Sequence, residues 1–162
     1  MLSASSVNYC DNFFEIANLT RIHGEPTFES IQTLQQEILI NVQCVHSDLG
    51  GGAHGHLGLV LCPQEYAVHS NTVYRWPTHP GPLVIPAGTT NHMSNTLHEQ
   101  HHERMRVFRE VKGIEQALHQ QIVTAIKPQY LEAFRDTMTG RIGLTVHELI
   151  CQLYTLYGKL TH

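Results

Sequence analysis

Residues 91–126 read NHMSNTLHEQHHERMRVFREVKGIEQALHQQIVTAI. Apolar side chains fall at Met93, Leu97, Met105, Phe108, Val111, Ile114, Leu118, Ile122 and Ala125. The spacing of three or four is that of one stripe on an α-helix, which leaves Glu99, Glu103, Arg106, Arg109 and Gln116 for the wet side. Gly88-Thr89-Thr90-Asn91 supplies cap residues ahead of it and Pro128 closes the far end. A helix of roughly 35 residues is about 50 Å long at 1.5 Å per residue, a great length for so small a domain. Gly113 costs about 1 kcal/mol against Ala inside such a helix and is the natural place for a kink or break. No other segment offers as much surface, so the remaining helices are expected to pack against this one. Burial is expected along Leu97, Phe108, Val111, Leu118 and Ile122.

On the C-terminal side, Tyr130, Leu131 and Phe134 predict a short helix stopping near Asp136, and Thr137-Met138-Thr139-Gly140 a turn. Thr145 and Glu148 stand in the capping-box relation ahead of a last helix. Its stripe is Ile150, Leu153, Tyr154 and Tyr157, ending at Gly158. On the N-terminal side, residues 70–90 hold four prolines, Pro77, Pro80, Pro82 and Pro86. They predict an extended crossing segment pinned by Trp76, Leu83, Val84 and Ile85. Pro63 suits the first turn of a short helix through about His69. Residues 50–58, with five glycines, read as a flexible loop. A helix capped by Thr27 carries Phe28, Ile31, Leu34, Ile38 and Val42 and ends near Cys44. Residues 1–25 show no period and read as an N-terminal arm ahead of a helical domain over 26–162. The expected class is all-α, five or six helices around one long central helix, with long irregular N-terminal connections.

Composition narrows the chemistry. The 162 residues suffice for one domain burying roughly 70% of its unfolded surface. A formal charge of −4 offers no electrostatic reason for strong nucleic-acid binding. Cys10, Cys44, Cys62 and Cys151 form no C-x-x-C pair and read as free thiols of a reducing, cytoplasmic setting. Neither a membrane span nor a signal peptide is expected.

Histidine is abundant, 13 residues against 10 Lys plus Arg. His98-Glu99-Gln100-His101-His102 matches H-E-x-x-H on a helix, the zincin arrangement in which His98 and His102 hold zinc and Glu99 activates water. The third histidine of the extended motif is absent, since Met105 and Phe108 occupy the two diagnostic positions. No strand-rich segment precedes the helix. The simpler reading places His101 on the apolar stripe with a hydrogen-bond partner and His98 and His102 near the solvent boundary. His54-Gly55-His56 lacks the Lys and Ser/Thr of a phosphate loop, no Cys/His set has zinc-finger spacing, and no G-x-S-x-G elbow is present. No enzyme activity, cofactor or metal site is therefore expected.

The order of several short stretches resembles a known family. A helix is followed by Val45-His46-Ser47-Asp48-Leu49-Gly50-Gly51-Gly52 and by His79-Pro80-Gly81-Pro82-Leu83. Then come Gly88-Thr89-Thr90 leading into the long helix, Glu115-Gln116-Ala117-Leu118 with Gln121-Ile122, Tyr130-Leu131, and Leu156-Tyr157-Gly158. From about Pro26 to Gly158 this resembles the N-terminal, capsid-like part of the Gag polyprotein of copia-type LTR retrotransposons. The resemblance implies a non-catalytic structural protein that associates weakly with copies of itself into a shell. Proteins of that family continue into a second helical lobe and often a zinc knuckle or basic tail, so RNA recruitment is expected from a segment absent from this chain. Asp136-Thr137 is followed by Met138, not by the glycine of a retroviral-type protease. The expected interface residues are half-exposed aromatics, Phe13 and Phe14 in the arm and Tyr154 and Tyr157 in the last helix. A His-rich metal-binding protein or zinc hydrolase and a domesticated helical adaptor are the alternatives.

Overall fold

A computed structural model describes residues 8–159; the ends of the arm and of the helical domain expected above, 1–7 and 160–162, lie outside them. Five α-helices follow one another, α1 (Tyr9–Asn12), α2 (Phe28–Val42), α3 (Pro63–His69), α4 (Asn91–Ala125) and α5 (Val146–Tyr157). Short 3-10 turns occupy Leu57–Leu59, Pro128–Tyr130 and Glu132–Phe134. The class is all-α around one long central helix, as the apolar period requires.

Local chemistry sets the helix bounds. The Thr90 hydroxyl accepts from the Met93 N–H at 3.2 Å and starts α4. Thr145 and Glu148 close a capping box on α5, each side chain accepting from the other's backbone N–H at 3.2 Å. Thr27 and Ser30 do the same for α2, with a serine where glutamate is usual. The expected short helix after Pro128 is instead two 3-10 turns, each a single turn long.

α4 runs unbroken through Gly113. The glycine answers to packing: a Cβ there would lie 2.8 Å from Cε2 of Tyr9, so its absence lets α1 lie on the helix.

The fully buried face of α4 is Val111, Ile114, Leu118, Gln121, Ile122 and Ala125. It meets Ile31, Leu34, Ile38 and Val42 of α2 and Val146, Leu149, Ile150 and Leu153 of α5 in one apolar cluster. Leu97 and Phe108, expected in the core, are only half-buried, and Met93 is 51% exposed. The first twenty residues of α4 hold none of the helix's buried side chains. The apolar stripe outruns the body of the domain, which covers about the last four turns.

The arm belongs to the same core. Phe14, Leu19 and Ile22 are buried in it. Asn41 of α2 accepts from the Ile16 N–H at 2.9 Å and donates to the Ile16 carbonyl at 2.8 Å. Gln121 of α4 donates to the carbonyls of Ile16 and Ala17, and the two amides bond each other at 3.0 Å. The Ile22 N–H caps the last carbonyl of α4, Ala125, at 2.8 Å. Among the described residues, then, the arm from Phe14 to Ile22 packs directly on α2 and α4. None of the described helices is long and apolar enough to cross a membrane.

Candidate functional site

The glycine-rich stretch is packed rather than loose. The His56 N–H caps α2 at the Val42 carbonyl, 3.0 Å away, and Leu57, Leu59 and Val60 enter the core. Tyr66 of α3 donates its hydroxyl to the Gly50 carbonyl at 2.6 Å. Gly58 faces the ring of Tyr74 so closely that a Cβ would overlap it. Glycine is needed here for space, and the chain's freedom at these positions is spent on close approach.

His56 is the least expected product of this packing. It is fully buried, its Nδ1 lies 2.8 Å from the Tyr74 hydroxyl, and its Nε2 stands 4.0 Å from Glu110 on α4 with no hydrogen-bond partner. Glu110 also receives Arg106 at 3.3 Å, and Arg106 is held in turn by a two-bond fork to Glu103. His56, acting across 4.0 Å and so beyond hydrogen-bond range, and Arg106 hold the Glu110 carboxyl below its ordinary value against its burial. Burial, with Glu110 second, pushes the Tyr74 phenol far up, so it stays neutral. Tyr74, His56, Glu110 and Arg106 thus form a polar strut joining the glycine stretch to α4. A neutral phenol and a fully buried imidazole suit structure better than nucleophilic chemistry.

The histidines of the H-E-x-x-H stretch divide as the helical period requires. His101 is half-buried and its Nε2 contacts the Gly81 carbonyl at 2.7 Å, fastening the proline segment to α4. His98, Glu99 and His102 are exposed. Among the described residues the one cluster of three metal-ligating types is elsewhere, at Cys62, Glu65 and His147.

The crossing segment is anchored by other residues than expected. Tyr74 is the buried one, edge-on to Tyr66 and Trp76. Trp76 is 47% and Val84 74% exposed, Ile85 is also exposed, and Leu83 is half-buried. His79 stacks edge-on against Phe108 at 5.1 Å. Two fastenings, His101 to Gly81 and His79 to Phe108, therefore lay the segment along the first half of α4 with much of its apolar surface facing water.

The four aromatics expected at an interface occupy different settings. Phe13 is 49% exposed, whereas Phe14 is buried in the core and presents no surface. Tyr154 stacks on Phe28 and donates to Gln35 at 2.8 Å; Tyr157 donates to the Tyr130 carbonyl at 2.9 Å. Both rings are half-buried with their hydroxyls satisfied, and the exposed apolar neighbour on α5 is Leu156. Exposed apolar groups that amphipathic periodicity missed are Trp76, Val84 and Ile85, because a proline segment has no period from which a wet side can be read. Comparison with protein-family models, curated proteins and solved structures returns no match.

Proposed function

We propose that this chain is the capsid-like helical region of a copia-type retrotransposon Gag polyprotein, acting without catalysis by associating with copies of itself. The observation that carries this reading is the uncovered apolar surface along the proline segment and the first half of α4, where Trp76, Val84, Ile85 and Met93 are each exposed. Where such side chains join into one contiguous patch, that patch marks an interaction surface. Phe13 on the arm and Leu156 beside Tyr157 extend the choice of contacts to other faces, as a shell with several neighbours requires. The order of sequence features from Pro26 to Gly158 supports the Gag assignment, and the all-α architecture is compatible with it.

A shell is built from many weak, identical contacts, since tight ones trap misassembled forms. Dissociation constants in the micromolar range, about −8 kcal/mol each, are in keeping. A net charge of −4 gives this chain itself no electrostatic drive toward RNA. Sedimentation velocity over a wide concentration range is the test. Concentration-dependent association is expected, and Trp76→Ser with Val84→Ser should weaken it about tenfold or more, the loss of roughly 1.4 kcal/mol. A strictly monomeric chain up to about millimolar concentration, where even a contact of about −4 kcal/mol is visible, would overturn self-association in favour of the adaptor reading.

A further inference from the structure

We propose that Cys62, Glu65, His147 and Cys151 form a metal site for a zinc-class divalent ion, tying the start of α3 to the start of α5. Cys62 is the residue just before α3 and Glu65 lies in its first turn, where the Glu65 carboxylate accepts from the Cys62 N–H at 3.1 Å. His147 and Cys151 are one turn apart on α5 and so share a face. The fold brings the two pairs together. Cys62 Sγ, a Glu65 carboxylate oxygen and a His147 ring nitrogen lie within 4.8 Å of one another. Cys151 Sγ is 3.6 Å from His147 Nε2.

The orientation of His147 is the independent observation. Its Nδ1 lies 2.7 Å from the Val60 carbonyl oxygen. A carbonyl only accepts, so Nδ1 carries the ring proton and Nε2 keeps its lone pair. Metal-ligating histidines are held in this way, the far N–H fixed on a backbone carbonyl. Val60 stands two residues before Cys62, so one stretch of backbone positions ligands on both helices.

The donor set selects the ion. Two sulfurs, one imidazole nitrogen and one carboxylate oxygen suit zinc and exclude the oxygen-seeking magnesium and calcium. A tetrahedral zinc ion, with bonds of about 2.0–2.3 Å, holds its ligands about 3.3–3.8 Å apart. For Cys62, Glu65 and His147, closing from at most 4.8 Å takes about an ångström of side-chain rotation. Cys151, already 3.6 Å from His147 Nε2, supplies the fourth ligand by turning about its own χ1. Glu65 and Cys151 are exposed and Cys62 and His147 half-buried, so an ion reaches the site without unfolding. Binding releases the thiol protons and is therefore weaker at low pH.

The test uses the full chain made without a histidine tag, titrated with cobalt(II) as a spectroscopic stand-in for zinc. One ion per chain is expected, with thiolate-to-cobalt charge-transfer absorption and tetrahedral visible bands that zinc displaces. Cys62→Ser should lower affinity more than about 100-fold and Glu65→Gln at least about tenfold, since even outer-sphere changes cost 10–100-fold. Because Cys62 is half-buried, Glu65→Gln and Cys151→Ser at exposed positions serve as the variants that preserve the fold, checked by circular dichroism. His98→Ala with His102→Ala should leave binding unchanged. Absence of charge-transfer absorption, binding lost in the His98/His102 variant, or unchanged affinity in either exposed-position variant overturns the assignment. The site is independent of self-association, so neither result bears on the other.

Discussion

Glu115 on α4 is under two opposed demands. One carboxylate oxygen accepts from the Val146 N–H at 2.8 Å at the start of α5, while the other is buried without a partner. Burial dominates and raises its pKa above the ordinary 4.5, outweighing the Val146 bond. A raised folded-state pKa means that the folded chain holds the proton more tightly than the unfolded one. The stabilisation is thus complete below 4.5 and lost as pH rises through the folded value. Glu110 has the opposite sign: its pKa lies below 4.5, so its contribution is present above that pH and lost below it. His119, held below its ordinary 6.5 by burial, loses its contribution as pH falls beneath 6.5. Glu115→Gln keeps an acceptor for Val146 and removes only the first effect. The difference in denaturant midpoint between this variant and the natural chain should therefore grow from about pH 4.5 to about pH 7. A difference that is flat over that interval would show that Glu115 titrates normally. Gly58 offers a second residue-scale expectation. An alanine there overlaps the Tyr74 ring and should cost about 1–3 kcal/mol in urea unfolding, the usual range for overpacking. A neutral Gly58→Ala would mean that Tyr74 is free to move aside.

Among the elements, α4 is two helices in energetic terms. Leu118 is fully buried against α2 and α5, whereas Leu97 lies on the half that the core does not cover. Leu118→Ala should cost about 2–5 kcal/mol, and Leu97→Ala below about 1 kcal/mol, nearer the surface range. Equal costs would place the first half of α4 in the core after all. This division was only partly legible in the sequence. Thr90, Thr145 with Glu148, and Thr27 announced the helix starts because capping is local chemistry, readable within four residues. The apolar stripe from Met93 to Ala125 gave the helix but not how far the body of the protein reaches along it, since coverage depends on partners distant in the chain. The same holds for the glycine stretch. Its composition signals freedom, and only Tyr66 and Tyr74, brought alongside by α3 and the crossing segment, turn it into a tight seat for His56. Of the proposed metal ligands, C-x-x-E at Cys62 and H-x-x-x-C at His147 each have helical ligand spacing. Zinc-finger patterns overlook them because half of each pair is neither Cys–Cys nor His–His.

For the whole molecule, the packed core and the surface proposed for association are different. The core cluster joins α2, the last four turns of α4, α5 and the arm. The exposed apolar groups Trp76, Val84, Ile85 and Met93 lie outside it. Polar substitutions at Trp76 and Val84 should change the unfolding free energy by no more than about 0.5 kcal/mol while altering sedimentation. A large loss of stability would assign these side chains to the fold instead of to an interface.

The amide pair Asn41–Gln121 clasps the carbonyls of Ile16 and Ala17, bonds that span 105 and 104 positions of the chain. During synthesis, residues 16 and 17 leave the ribosome long before Gln121 exists. Until then only Ile16, on Asn41, and Thr20, on Glu37, have their side-chain partners on α2, and Phe14, Leu19 and Ile22 have only part of their eventual cover. The beginning of the chain must therefore wait, its apolar side chains within reach of chaperones or of neighbouring nascent chains, until the second half of α4 emerges and the clasp shuts. If many copies are made on clustered ribosomes, that interval is when two chains can exchange N-terminal segments. The same amides that order the finished fold then set how late in synthesis the N-terminal segment can find its place in its own chain.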